Sequence, residues 1–259
     1  MRILVIGATG RLGRVLRAGW AGRADIAPFW QTRGAAAGPG WVRWDPLGAD
    51  PMPDCDIVVD VAGVTRGDRL EDNARLAGAV AAAARGRRVL HAGSIAAYGL
   101  AEDAAEDRPL APLSPYGRAK AAAEAAVAGR AVVMRIGNVI GADALEAAVG
   151  VKPVVMDRFA EGHGPLRSAI GPAAFARVVA ALAGAASLPP VVNLALPGAV
   201  DLADILRAAG VPFTWRAAPP GAVPRATMDL RRLAALVPLP PADPAAIAAD
   251  WRAFRVGAA

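Results

Sequence analysis

Residues 2–6, Arg-Ile-Leu-Val-Ile, form an apolar run that stops at Gly7-Ala8-Thr9-Gly10-Arg11-Leu12-Gly13, after which Leu12, Val15 and Leu16 recur at helical spacing. A buried strand, a glycine turn and a helix in direct succession constrain the fold more than any other stretch. The glycines let the turn close tightly and let backbone approach a pyrophosphate, while the helix N-terminus offers unpaired N–H groups and a partial positive charge. The spacing is G-x-x-G-x-x-G, which differs from the G-x-G-x-x-G fingerprint of dinucleotide sites. A glycine turn without a ligand is the competing reading.

The alternation continues along the chain. Further strands are expected at Ile26–Thr32, Trp41–Trp44, Asp56–Val61, Arg88–Ala92 and Ala131–Ile136, with helices over about Asp68–Arg85 and Ser114–Gly129. Strands alternating with helices predict an α/β fold, a Rossmann-type doubly wound parallel sheet. Arg33 follows the second strand, twenty residues beyond Gly13. An acidic residue there reads a ribose 2′-hydroxyl, whereas an arginine suits a 2′-phosphate, so NADP is preferred to NAD. A solvated loop arginine is the alternative. In Asp60-Val61-Ala62-Gly63, small residues let the chain pass close beneath a ribose, and Ser94 follows the fifth strand at the sheet edge where ligands bind.

Beyond Gly141 the pattern loosens. Gly162–Arg167 reads as a loop, Pro172–Leu182 as a helix, Pro190–Leu196 as a strand and Asp201–Ala209 as a helix, while prolines from Pro212 to Pro244 break the tail into short pieces. The division expected is a dinucleotide-binding Rossmann domain, 1–141 plus about 171–210, and a small, discontinuous C-terminal substrate lobe, about 142–170 and 211–259.

Composition narrows the function. A net charge of +6 suggests nucleic acid, but the densest basic cluster, Arg85, Arg87 and Arg88, has no interleaved aromatics, so no nucleic-acid partner is expected. No apolar run reaches bilayer length and the N-terminus runs straight into a strand, which predicts a cytoplasmic protein without membrane contact. Cys55 is the lone cysteine, and His91 and His163 lack ligand-spaced neighbours, so neither a disulfide nor a metal is expected. The six tryptophans read as core or lid packing. The expected partner is a small molecule, with a homodimer left open.

The chain has only two tyrosines, Tyr98 and Tyr116, and only two lysines, Lys120 and Lys152, against 27 arginines. Tyr116 and Lys120 stand four apart, on one face of a helix. Together with Gly7–Gly13 and Ser94, this pair makes the chain resemble the short-chain dehydrogenase/reductase superfamily. Its extended branch, the NAD-dependent epimerase/dehydratase family, fits best. Ser94–Gly99 matches an S-x-x-x-Y-G segment and Pro112–Lys120 a P-x-S-x-Y-x-x-x-K segment. Arg135, Asn138 and Gly141 match R-x-x-N-x-x-G, and Gly162, Gly164 and Arg167 match G-x-G-x-x-R. Gly93, Asp60 and Gly171-Pro172 depart from the branch, which usually has serine, His or Asn, and His-Val there.

The resemblance implies hydride transfer between NAD(P) and the hydroxyl or carbonyl carbon of a sugar-like substrate, free or nucleotide-linked. Ser94, Tyr116 and Lys120 are the implied catalytic residues, Tyr116 being the general acid/base. Cofactor contacts fall on Gly7, Ala8, Thr9, Gly10, Arg11, Leu12, Gly13, Arg33, Asp45, Ala62 and Gly63, joined by Tyr116 and Lys120. Asn138 and Arg167 take the positions that contact substrate phosphates. Asn73 falls near an asparagine that supports a proton-relay water, and Asp45 either reads an adenine amino group or initiates a turn at Pro46. Work near neutral pH asks a tyrosine to ionise roughly three pH units early, about 4 kcal/mol, and an ammonium about 4 Å away supplies about that much at an effective dielectric of 20. Dehydratases usually place an acid and a base just after the serine. Ile95 and Ala96 stand there, which favours a reductase or epimerase. The alternative is a non-catalytic NAD(P)-binding sensor or assembly protein, which has no need of the serine and tyrosine.

Overall fold

The computed structural model describes residues 1–35, 38–149 and 153–257. The opening run forms β1 (Arg2–Ile6), and the glycine turn leads into α1 (Arg11–Trp20). Next come β2 (Ala27–Thr32), β3 (Trp41–Arg43), β4 (Ile57–Asp60), α2 (Asp72–Ala83) and β5 (Arg88–Ser94). A single 3-10 turn, Ile95–Ala97, precedes α3 (Pro115–Val127), followed by β6 (Val132–Ile136) and β7 (Asn138–Val139). The second half comprises α4 (Ala144–Ala148), β8 (Val154–Arg158), β9 (Leu166–Arg167), β10 (Ala169–Ile170), α5 (Pro172–Gly184) and β11 (Val191–Leu194). It ends with β12 (Val200–Asp201), α6 (Leu202–Ala209), β13 (Phe213–Ala217), β14 (Arg225–Ala226), α7 (Arg231–Ala234) and α8 (Pro244–Gly257).

The main sheet has seven strands in the order β11-β6-β5-β4-β1-β2-β3, all parallel. The order reverses between β1 and β4, which puts a crevice at the carboxyl ends of these two strands. Apolar residues cover both faces. Ile3 and Val5 point into the layer made with α1 and α5, while Leu4 and Ile6 point towards Val58, Val80 and Val89 on the other side. Helices α2 and α3 pack on each other through small residues, Ala77 and Ala81 against Ala123, so their axes approach closely. Burying Leu4 and Ile6, both essentially inaccessible, stabilises the strand by about 1.5–3 kcal/mol per side chain.

Beside the main sheet lie a parallel β8–β13 pair and the three-stranded β12-β9-β14 sheet. Two expectations differ from the structure here. Gly162–Arg167 is not wholly a loop, because Leu166–Arg167 pairs with both β12 and β14. Pro244 does not break the tail but starts its longest helix. Proline suits the first helical position, where no N–H is needed, and Asp243 caps the start by accepting from the N–H groups of Ala245 (3.1 Å) and Ala246 (3.3 Å). Helix α8 packs against α5 and α6 and buries Trp251 completely. Residues 150–152 of the expected lobe lie outside the described residues.

Candidate active site

Two glycines of the first turn, Gly7 and Gly13, are required by space. Gly7 has φ +81°, and a Cβ there would stand 2.6 Å from the Cα of Ala62. At Gly13 a Cβ would meet the carbonyl oxygen of Gly7 at 2.4 Å. Gly10 caps α1 without a side-chain bond, and no acidic residue occupies the first turn, so the helix presents bare N–H groups and an uncancelled dipole. Gln31 anchors the turn from behind, accepting from the Gly7 N–H (3.2 Å) and donating to the Trp44 carbonyl (2.5 Å). Gln31 was not singled out in the sequence, where a lone amide in a strand carries no signal.

This turn opens onto a cavity of about 930 Å³. Its walls include Gly7, Thr9, Gly10, Arg11, Leu12, Arg33, Asp45, Ala62 and Gly63 together with Ser94, Tyr116, Lys120 and Asn138. Ala8 and Gly13 support the turn from outside that lining. A glycine cradle that side chains would fill, joined to a helix N-terminus without a counter-anion, fits the pyrophosphate of a dinucleotide. Asp45 lines the cavity and also accepts from the Leu47 N–H (3.0 Å), so the turn-forming role is real as well.

Helix α3 is placed by its first residues. Ser114 caps it, accepting from the Gly117 N–H (3.0 Å), with Pro115 at the first turn. Gly117 was missed in the sequence. A Cβ there would meet the Ala96 carbonyl oxygen at 2.4 Å, so glycine alone lets α3 sit against the 3-10 turn and bring Tyr116 to Ser94. Ser94, almost buried, accepts from the Ala96 N–H (3.2 Å) and keeps its hydroxyl proton free to donate. Burial pushes the Tyr116 phenol up, while a bond with Ser94 and the charge of Arg11 pull it down. Lys120 is absent from those influences, contrary to the sequence expectation. Its amine donates to the Ala92 carbonyl (2.7 Å) instead, and burial pushes its own pKa down.

Other expectations separate. Asn73 pins the 64–70 loop, its amide nitrogen donating to the carbonyls of Val64 (2.9 Å) and Leu70 (2.7 Å) and its oxygen accepting from the Val64 N–H (2.9 Å). These bonds account for it without a relay. Asn138 lines the cavity and donates to Asp143 (3.3 Å), whereas Arg167 lies outside the lining and donates to the carbonyls of Leu166 (2.8 Å), Val223 (2.9 Å) and Pro224 (3.4 Å). Asp143 itself was overlooked, although Asp143-Ala144-Leu145-Glu146 has the spacing of a capping box. It caps α4, faces the cavity, and burial raises its pKa. Arg11 spans the mouth, donating to the Asp143 carbonyl (3.0 Å), the Ala142 carbonyl (3.4 Å) and the Thr65 hydroxyl (3.4 Å).

The second tyrosine is structural. Tyr98 is buried beneath Arg135, donates to Asn193 (2.7 Å) and accepts from Arg135 (2.8 Å), while Arg135 also engages Glu124 and the Glu106 carbonyl. Among the described residues no group of three His, Cys, Asp or Glu is placed to hold a metal ion, and no helix is long and apolar enough to cross a membrane.

The sheet order and the glycine turn define a Rossmann-type doubly wound fold, with the serine, tyrosine and lysine lining its cavity. The model of the NAD-dependent epimerase/dehydratase family matches residues 53–170. It is 36% identical over 169 residues to dTDP-6-deoxy-L-talose 4-dehydrogenase (NAD(P)(+)) from Kitasatospora kifunensis, a match covering 54% of this chain and 53% of that one. The chain thus spans about half the length of this curated relative. A UDP-glucuronic acid 4-epimerase from Bacillus cereus, solved with UDP-glucuronic acid and NAD, superposes with a TM-score of 0.79 at 18% identity over 99% of both chains. A UDP-galactose 4-epimerase gives 0.73 at 21% identity, over 100% of this chain and 99% of that one.

Proposed function

We propose that the chain is an NAD(P)-dependent oxidoreductase or epimerase acting on a sugar-like hydroxyl or carbonyl, with Tyr116 as general acid/base. One observation supports this reading: Ser94, Tyr116 and Lys120 line the same cavity as the glycine cradle. The bound nicotinamide supplies the hydride acceptor or donor. Tyr116 moves the proton at the substrate oxygen, and Ser94 donates to that oxygen and orients it. Burial works against an ionised phenol, so positive charge nearby is essential, and Arg11 provides it. Ser94 is followed by Ile95 and Ala96 in place of an acid and a base, which favours reductase or epimerase chemistry over dehydration.

NADP is the preferred cofactor, because Arg33 and Arg14 line the cavity near Asp45. A nucleotide-linked sugar is supported by Asn138 in the cavity and by the activity that the Kitasatospora relative is named for. It would require Arg167 to leave the backbone carbonyls it now holds. Replacing Tyr116 by Phe tests the proposal against a panel of free and nucleotide-linked sugars. Turnover should fall by about a thousandfold or more while cofactor affinity is kept. Undiminished turnover would overturn it.

A further inference from the structure

The family resemblance leaves Asp60 unexplained, since the branch usually carries His or Asn there. In the structure Asp60 and His91 are a buried pair on neighbouring strands, 1% and 2% exposed, with the Nδ1 of His91 2.8 Å from an Asp60 carboxylate oxygen. The other Asp60 oxygen accepts from the Ala62 N–H at 3.2 Å. A carboxylate facing Nδ1 fixes the proton on that nitrogen, and Nε2 of His91 has no hydrogen-bond partner. The pair is rigid and sealed, and neither residue was assigned a task by the reading of the cavity.

Lys120 lies beside it. Its amine donates to the carbonyl of Ala92, the residue after His91, and sits 3.4 Å from where a Cβ on Gly63 would be, three residues after Asp60. Asp60 and His91 are in register on neighbouring strands, and the amine bonds to the backbone one residue beyond His91, so the amine and the pair share the same short stretch of β4 and β5. The surrounding elements offer no rival charge among the described residues. Asn73 of α2 is neutral and bonded to backbone, and Glu124 of α3 is taken by Arg135 of β6. Tyr116 is the remaining titratable neighbour on α3.

We propose that Asp60, held in orientation by His91, is the fixed counter-charge that keeps the buried Lys120 amine protonated. An amine this deeply buried loses its proton unless an opposite charge faces it. Burial does push Lys120 down, and the charge of Asp60 is the influence opposing it. Asp60 and His91 are positioning residues that act through Lys120, and the proposal rests on the catalytic reading of that lysine.

Composition makes the test clean, because the full chain has two lysines and two histidines. Lysine and histidine are isotope-labelled and their side-chain nitrogens followed by NMR across pH, with Lys152→Arg and His163→Gln giving the assignments. In the wild type, His91 should carry its proton on Nδ1 with Nε2 bare. Asp60→Asn should lower the Lys120 titration midpoint by about one pH unit or more while leaving Lys152 unmoved. An unchanged Lys120 midpoint would overturn the proposal. A proton on Nε2 of His91 with Nδ1 bare would also overturn it, and that measurement needs only the wild type should Asp60→Asn fail to fold. None of these readouts uses a substrate, so an inactive protein would refute the proposed reaction and leave the Asp60–Lys120 result to stand or fall by itself.

Discussion

Replacing Gly13 by Ala probes the cradle without touching a polar group. The added Cβ would stand 2.4 Å from the Gly7 carbonyl oxygen and 2.5 Å from the Cα and carbonyl oxygen of Ala8. All three are backbone atoms that no rotamer change can move aside. To reach the 3.0 Å below which real Cβ contacts are essentially absent, α1 must retreat from the turn by about 0.6 Å. Overpacking of this kind costs about 1–3 kcal/mol, and the better helix propensity of alanine returns about 1, so stability falls by about 2 kcal/mol at most. The unfolding midpoint then drops by no more than about 8 °C.

Binding should suffer more than folding. The retreat carries the helix N-terminus away from the phosphates, where its N–H groups and dipole contribute up to about 2 kcal/mol, and losing that weakens binding by up to about thirtyfold. Fluorescence titration with NADPH reads the affinity and a thermal melt reads the stability. Gly78→Ala in α2 is the control, since its Cβ would make only an ordinary contact, 3.9 Å from the Cβ of Ala126. That variant should gain about 0.5–1 kcal/mol and bind normally. If Gly13→Ala bound NADPH as well as the wild type and gained stability as the control does, the spatial argument for the cradle would be wrong.

Arg33→Asp should weaken NADP binding more than NAD binding in calorimetric titrations, and equal losses would refute the 2′-phosphate assignment. Tyr98→Phe leaves the buried Asn193 side-chain oxygen without its donor and removes one acceptor of Arg135, so denaturant melts should show a loss of about 1–3 kcal/mol with cofactor affinity intact. Trp251→Ala should cost about 3–5 kcal/mol, because the ring is wholly buried and its N–H donates to Glu146; a loss below 1 kcal/mol would mean that α8 is dispensable. For Asp143 the folded pKa is raised, so ionising it costs more in the folded chain than in the unfolded one. The handicap is present above the folded pKa and disappears as pH falls below the ordinary value of about 3.9. Asp143→Asn, which keeps a capping side chain, should therefore be the more stable protein near neutral pH and lose that advantage in acid melts.

Apolar strands closed by glycines, with helical spacing between them, made the parallel sheet legible from the sequence, and the Tyr116–Lys120 spacing marked the wall of the cavity. Elements too short to show a period were hidden. Two-residue β9 is defined by its partners β12 and β14, not by its own residues. Pro244 was misread because proline ends one helix and begins another with equal ease, and only Asp243 beside it tells which. Asp60 and His91, 31 residues apart, are joined by strand register alone. Gly117 matters through the Ala96 carbonyl oxygen, which no local pattern announces. Arg167 fits a motif, but its direction is decided by the carbonyls of Val223 and Pro224, far away in the chain.

Arg11 sets a polarity on the cavity mouth. Its hydrogen-bond partners are all uncharged oxygens, and no carboxylate pairs with it among the described residues. Arg14, Arg33, Arg66, Arg69 and Lys120 share the lining, against Asp45, Asp72 and Asp143. A crevice with excess positive charge and low-dielectric walls draws anions from a distance, so a phosphate-bearing visitor meets a favourable field before it makes any contact. Its capture rate should fall steeply as salt is added, whereas its escape rate, governed by the cradle, should barely move.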